Sequence, residues 1–352
     1  MKVEQILENA LDRAITREEA LTLFEEVKTP DLISKLFAAA SSVRQREAGN
    51  IFRLDGWMGS NTECKIDPPC LYCRRAVPGQ DLAKWEIETS QLDDIAAAFK
   101  ATGTTTVEIG GGTNAETSGP TVIEILRELR KSDLTIWVNV GPALEREHIL
   151  EMKALGVESI TSSFETMNEA VFQKIKPGDS LEKRKALANL ISDCGVDLVS
   201  VIMVGLGESY KDRVNHLFYL NEIERFRWLA VSWLRIHPGG PLQGRMIPPS
   251  PIEAAKTVAI ARLIYRDKEI GMSSPVHIQL SVLAGANRIV HAGASFHKKS
   301  GFSIGAQGFP GKVEEKEVID GYVMTNLLPI TARWIMDSGM DVEPLIREAI
   351  ES

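Results

Sequence analysis

After Asn50 the chain is built from short apolar runs separated by amphipathic segments with apolar residues three and four apart. Strands alternating with helices in this way demand a parallel sheet, because a parallel pair needs a long, usually helical, crossover to bring the chain back. The runs are Ile51–Trp57, Thr105–Ile109, Leu134–Val140, Ser159–Phe164, Asp197–Val204, Leu229–Ile236, His277–Ser281 and Phe302–Ile304. Between them the spacing predicts helices over Gln91–Lys100, Thr121–Arg130, Leu144–Ala154, Leu181–Ser192, Lys211–Glu224 and Ile252–Asp267. Eight repeats predict an α/β fold of the closed (β/α)8 TIM-barrel type over residues 50–308. Helical patterns over Val3–Glu26 and Pro30–Glu47 make residues 1–49 an added N-terminal helical layer, and Thr29-Pro30 is a helix-start pair. Residues 309–352 read as a C-terminal helical cap with helices over Asn326–Ser338 and Val342–Ile350.

Charge and hydropathy narrow the partners. Forty Lys and Arg stand against 48 Asp and Glu, a net charge of -8 with no polybasic run, which argues against nucleic acid. No apolar stretch approaches the ~18 residues that cross a bilayer, so no membrane association is expected. The start, MKVEQILENALDR, is an amphipathic helix rather than an export signal, and the chain reads as cytoplasmic.

Four cysteines are present, and three of them, Cys64, Cys70 and Cys73, fall on the loop after the first strand. In a barrel that loop lies at the reactive end. Structural zinc closes its shell with four protein ligands, and the distant Cys194 is a poor fourth. Three thiolates instead suit an iron–sulfur cube whose fourth iron stays open to a small molecule. Spacing alone also leaves a zinc half-site, a surface thiol cluster or buried structural cysteines. A zinc-binding or metal-carrier protein on a barrel scaffold is the corresponding non-catalytic reading.

With its cysteine loop directly after strand one, the chain resembles the radical S-adenosylmethionine (SAM) superfamily from about Asp31 to Gly308. The usual loop there is C-x3-C-x2-C, whereas this one is C-x5-C-x2-C. The resemblance implies a [4Fe-4S] cluster on Cys64, Cys70 and Cys73, with SAM as the second cofactor. Tyr72 then fits the aromatic position beside the adenine. Gly110-Gly111-Gly112-Thr113 is similar to the superfamily's Gly-Gly-Glu segment, which makes Gly111, Gly112 and Thr113 contacts to the methionyl amine, with Thr113 in place of the Glu. Ser162-Ser163-Phe164-Glu165-Thr166 resembles the ribose-binding segment of biotin synthase and its relatives, with Ser163 and Glu165 on the ligand positions. Arg184 falls where these relatives pair the SAM carboxylate. Val201-Ile-Met203-Val-Gly205-Leu-Gly207-Glu208 is similar to their strand-five segment, with Met203 toward the adenine and Glu208 bracing the loop. Gly239–Leu242 and Ala284–Asn287 extend the match and place the backbone of Ile236 and His237 near the adenine.

Biotin synthase carries a second, sulfur-donating cluster on interior strand positions that here read Glu108, Trp137, Val199 and about Gln279, so sulfur insertion lacks its ligands. Glu108, an acid on an apolar central strand, is either a contact for a substrate ammonium or half of a buried ion pair with Arg235. His237, His277, His291 and Ser303 lie near expected strand ends and read as structural. Within the biotin-synthase-like subgroup, the C-x5-C-x2-C loop and helical N-terminal layer most resemble the radical SAM family that matures the guanylylpyridinol cofactor of [Fe]-hydrogenase. That resemblance implies a hydrogen-using methanogen or similar anaerobe, a small-molecule substrate, and an electron donor such as ferredoxin or flavodoxin. Another reaction of the subgroup, such as an amino-acid carbon-skeleton rearrangement, is the alternative.

Overall fold

The computed structural model describes residues 2–78, 89–272, 277–289, 294–297, 301–304, 318–319, 322–323 and 327–352. Its first three helices are α1 (Val3–Ala10), α2 (Arg17–Glu26) and α3 (Pro30–Glu47). The first apolar pattern is thus two helices, because Thr16 and Glu19 form a reciprocal capping box that starts a new one at Arg17.

The next segment carries β1 (Ile51–Leu54) and β2 (Gly56–Ser60), separated only by Asp55. On one side β2 begins a parallel ladder through β3 (Thr106–Gly110), β4 (Thr135–Asn139), β5 (Ser159–Thr161), β6 (Asp197–Val204), β7 (Phe226–Trp233) and β8 (Glu269–Met272). β9 (Arg288–Ile289) pairs β8 on one edge and β1 on the other, and β10 (Ala294–His297) pairs β2 at Trp57. Both ends of the curled sheet therefore meet on the single segment Ile51–Ser60. The crossovers are α4 (Leu92–Ala101), α5 (Ser118–Leu129), α6 (Arg146–Ala154), α7 (Glu169–Ile175) followed by α8 (Leu181–Asp193), α9 (Tyr210–Asn221), α10 (Pro251–Tyr265) and α11 (Ile278–Leu283).

The main core lies between sheet and helices. A separate apolar cluster, Trp137, Val199, Trp228 and Ala230, fills the barrel interior, since residues two apart on a strand share a face. Helix α10 is buried almost all round because α3 and α2 cover the face that an outer barrel helix normally shows to water. Below the interior cluster, Asp55, Glu158 and Glu269 meet Arg53, Arg227 and Arg288 at the N-terminal ends of the strands.

The structure is the α/β parallel barrel that the repeats predict, with three strands reassigned. The sixth barrel strand is Phe226–Trp233, three residues earlier than the spacing predicts. His277–Ser281 is not a strand: residues 278–283 form α11, and its buried Ile278 and Val282 stand one helical turn apart. The strand that belongs there is Glu269–Met272, only four residues long and directly behind a charged helix end. Phe302–Ile304 lies in β11 (Gly301–Ile304), which pairs antiparallel with β10 and is not the closing barrel strand. Farther on, β12 (Val318–Ile319) and β13 (Tyr322–Val323) form a small antiparallel pair. Then come α12 (Leu327–Asp337), β14 (Asp341–Val342) and α13 (Pro344–Glu351). β14 extends the sheet beside β1, and the Glu343 carboxylate accepts the Leu54 N–H, so this tail sits at the foot of the barrel. The boundary expected at 308/309 falls outside the described residues. No helix among the described residues is long and apolar enough to cross a membrane.

Candidate functional site

The cysteine loop leaves β2 and runs along the glycine segment after β3. Asn61 N–H donates to Gly110 O, Gly112 N–H to Thr62 O and Lys65 N–H to Thr113 O, each across 2.8 Å. A Cβ on Gly111 would collide with Thr62, and one on Gly112 with the backbone of Cys64. The glycines are thus required first by the close approach of the loop itself. Thr113 packs against Gly141 on the loop after β4, where a Cβ would strike its hydroxyl.

Farther along the loop, Leu71 N–H donates to Ile175 O at the end of α7, Cys73 N–H to Cys70 O, and Arg75 Nη1 to Ile66 O. Cys64, Cys70 and Cys73 are all half-buried. Burial pushes the Cys70 thiol up to about 12 and also raises Cys73, whereas the nearby Lys176 ammonium acts in the opposite direction on both. A metal centre here therefore has to displace protons, which couples its binding to pH. Cys194 ends α8 at the foot of the barrel, near Arg146, and takes no part.

Tyr72 links the loop to the end of β5. Its hydroxyl donates to Oε1 of Glu165 across 2.9 Å, and the Lys176 ammonium holds Oε2 at 2.7 Å. Glu165 has φ of 57°, a left-handed conformation that costs a non-glycine residue about 1–3 kcal/mol. It is held there because its N–H donates to Val201 O and its carbonyl accepts from Met203 N–H, which sews it to β6. Strain of this kind concentrates where a side chain must be aimed.

Arg184, nearly buried on α8, gives Nε and Nη2 to Asp179 and Nη1 to the carbonyl of Ser163. Burial opposes the charge of Asp179, but Arg184 and Lys176 prevail and hold its carboxyl below the usual range. Ser162 Oγ donates to Arg184 O, and Ser163 lies beside it, mostly buried. On the far side, Tyr72, Met203 and Ile236 meet in one apolar cluster with Leu206, Leu234 and Leu242. Glu208 accepts from the N–H groups of Gly205 and Leu206 and from Arg213 Nε, which fixes the turn after β6. His237 is lowered by burial and then by Arg74 and Arg235, and the turn it opens packs on Val77 of the cysteine loop.

Inside the barrel, Glu108 is 2% exposed and accepts from Asn139 Nδ2 across 2.9 Å. Arg235 is exposed and stacks over the ring of Trp233. Gln279 is on α11 and is not an interior strand position, which corrects that alignment. His277 caps α11 beside Trp233, and His291 lies outside the described residues.

A family model described as the radical SAM superfamily matches residues 62–220. An uncharacterized protein of Methanocaldococcus jannaschii is 30% identical over 296 residues, covering 82% of this chain and 77% of that one. This chain belongs to the radical SAM superfamily. The biotin synthase of Rhodopirellula baltica is 28% identical over 277 residues, covering 76% of this chain and 74% of its own. Among solved structures, methylornithine synthase shares the fold with a TM-score of 0.78 at 18% identity over 99% of each chain. The [FeFe]-hydrogenase maturase HydG does so with a TM-score of 0.80 at 16% identity, over 97% of this chain and 75% of that one.

As a radical SAM enzyme the protein uses a [4Fe-4S] cluster and SAM. The donor set suits the cluster in kind and number, since three free thiols lie on one loop, although among the described residues no three His, Cys, Asp or Glu side chains stand grouped as a metal site. Among the described residues, Lys176, Asp179 and Asn139 also belong to the site's neighbourhood, and no sequence pattern marks them. Lys176, between Ile175 and Pro177, has the look of a solvated helix end, yet it is 1% exposed.

Proposed function

We propose that Cys64, Cys70 and Cys73 hold the [4Fe-4S] cluster and that SAM lies across the barrel mouth. In this reading its adenine rests against Tyr72, Met203 and the backbone of Ile236 and His237. Its ribose faces Ser163 and Glu165, its carboxylate faces Arg184, and its amine faces Gly111, Gly112 and Thr113. The observation that carries it is the cysteine loop running on the β3 glycine segment, with Tyr72 joined to the strained Glu165. When bound by these three thiolates, the cluster would supply the electron for reductive cleavage of SAM.

This chain's residues then position the reactants. Glu208 and Arg213 fix the turn beside the adenine cluster. Trp137, Trp228 and Val199 fill the lower interior and exclude water beneath the reacting centre. Glu108, through Asn139, contacts a substrate ammonium or other hydrogen-bond donor.

The enzyme acts on a small molecule in biosynthesis of the iron-guanylylpyridinol cofactor of [Fe]-hydrogenase, in the cytoplasm, with ferredoxin or flavodoxin as reductant. The C-x5-C-x2-C spacing together with the helical layer α1–α3 supports that assignment. A carbon-skeleton rearrangement of an amino acid is the second reading, supported by the end-to-end fold likeness to methylornithine synthase.

Anaerobic reconstitution with iron and sulfide, followed by reduction with SAM, tests the chemistry. Native protein is expected to form 5′-deoxyadenosine and Cys70→Ala is not. Absence from both, despite a confirmed four-iron cluster, removes the SAM-pocket reading. The pathway is tested by deleting the gene in its host. Loss of the guanylylpyridinol cofactor by mass spectrometry supports the first reading, and an unchanged cofactor level moves the second ahead.

A further inference from the structure

One buried lysine touches both acids of the site. Lys176 closes α7 with its ammonium 2.7 Å from Oε2 of Glu165 and 3.3 Å from Oδ2 of Asp179. That same Asp179 oxygen takes Nε of Arg184 at 2.7 Å and Nη2 at 2.6 Å. Glu165, Lys176, Asp179 and Arg184 thus form an unbroken chain of alternating charge that sums to zero, and each member is less than a tenth exposed. Burying four charges costs several kcal/mol per ion before pairing, and well-packed apolar residues often stabilise such a position at least as well. A purely structural role for Lys176 therefore explains little.

We propose that Lys176 is a positioning residue that couples the ribose end of the SAM site, at Glu165, to its carboxylate end, at Arg184. The inference rests on the SAM-pocket reading above. A ligand carboxylate docking on Arg184 competes with Asp179 for the guanidinium. Asp179 then draws Lys176 toward itself, which loosens the hold of Lys176 on Oε2 of Glu165. Glu165 becomes a better acceptor for ribose hydroxyls. Filling one end thereby prepares the other, and the coupling is reciprocal as linkage requires.

The test uses the two halves of SAM separately on reconstituted holoprotein, with methionine and 5′-deoxyadenosine as the probes in isothermal calorimetry. Saturating methionine is expected to tighten 5′-deoxyadenosine by about fivefold or more, the lower range of coupling between sites. In Lys176→Met combined with Asp179→Asn, which leaves Glu165 and Arg184 balanced in charge, each ligand still binds alone but the ratio falls to one. Lys176→Arg restores the ratio. A ratio unchanged in the double variant overturns the inference while the SAM pocket stands, because direct contact between the two ligands then accounts for it. If neither ligand binds native holoprotein, the pocket reading itself is wrong. Should the double variant not fold, Asp179→Asn alone takes its place: it removes the acid that links Arg184 to Lys176 and leaves both proposed ligand contacts in place, so the ratio is again expected to fall to one, and persistence overturns the inference.

Discussion

Tyr72 Oη and Glu165 Oε1, 93 residues apart in the chain, share a 2.9 Å hydrogen bond that ties the cysteine loop to the end of β5. The bond occupies the carboxylate that ribose hydroxyls are proposed to use. The ribose hydroxyls and the Tyr72 hydroxyl are thus expected to compete for that oxygen, and a hydrogen bond to a charged group is worth about 1.5–3 kcal/mol. Tyr72→Phe keeps the ring and removes that competitor. The variant is expected to melt a few degrees below native protein without ligand, because Glu165 loses a donor, and to gain more than native protein when SAM is added. A thermal-shift titration reads both effects, and an equal SAM-induced shift in the two proteins rejects the competition.

Gly112 tests whether the loop depends on the glycine segment for its path. A Cβ there meets the backbone of Cys64 rather than a movable side-chain tip, so the loop has to shift. Gly112→Ala is expected to keep native circular dichroism but to hold less than about one iron per chain after reconstitution, against about four for native protein. Full iron loading in a folded variant would show that the loop has room to spare.

The contrast between these residues and the rest of the site explains what the sequence discloses. Cysteine spacing, the glycine run and the apolar strand Leu198–Val204 are local features, and their places in the fold follow from the βα repeat. Lys176 and Asp179 are legible only once α7 and α8 have folded onto the loop, because nothing in Ile175-Lys176-Pro177 distinguishes a buried ammonium from a solvated one. The same limit explains β8. Glu269–Met272 is too short for a strand period to outweigh the charged helix end before it, and its identity comes from pairing with β7 and β9. Arg184 is singled out by the family resemblance alone, because the lysines at 183 and 185 that flank it give no local sign that its helix face turns inward.

His216 makes one contribution to the pH dependence of folding, opposite in sign to that of the raised Asp55 carboxyl. It is completely buried on α9 with neither ring nitrogen hydrogen-bonded among the described residues, and burial, followed by the charge of Lys185, lowers it from 6.5 to about 3. The unfolded chain takes up a proton near pH 6.5 while the folded chain refuses it until about pH 3. Stability from this group is therefore complete above pH 6.5 and is lost as pH falls toward 3, at up to ~1.4 kcal/mol per pH unit. Urea unfolding of native protein and His216→Leu at pH 7.5 and pH 5.5 measures it. The variant is expected to be more stable at both pH values, by about 1–3 kcal/mol at the higher one, since two unpaired nitrogens leave the core. It should also lose less on acidification, and parallel losses would assign the acid sensitivity elsewhere.

The foot of the barrel predicts an asymmetry between two partners of one ion pair. Arg288 is fully buried, lies 2.6 Å from Asp55, pairs with Glu158 and Glu269, and stacks over Trp228. Asp55 has Oδ2 engaged by Arg288 and Trp137, while Oδ1 has no partner among the described residues, and burial pushes its carboxyl up to about 7 against the pull of Arg288. Acids outnumber bases around it, because Glu158, Glu269 and Glu343 also face Arg53, Arg227 and Arg288. Removing the cation leaves several buried carboxylates uncompensated, whereas neutralising Asp55 relieves part of that excess. Arg288→Met is expected to lose about 3–5 kcal/mol of unfolding free energy. Asp55→Asn keeps an acceptor for Trp137 and is expected to lose less than half as much. Equal losses in denaturant titrations would mean that the Asp55–Arg288 contact alone, and not the charge balance of the whole foot, decides its stability.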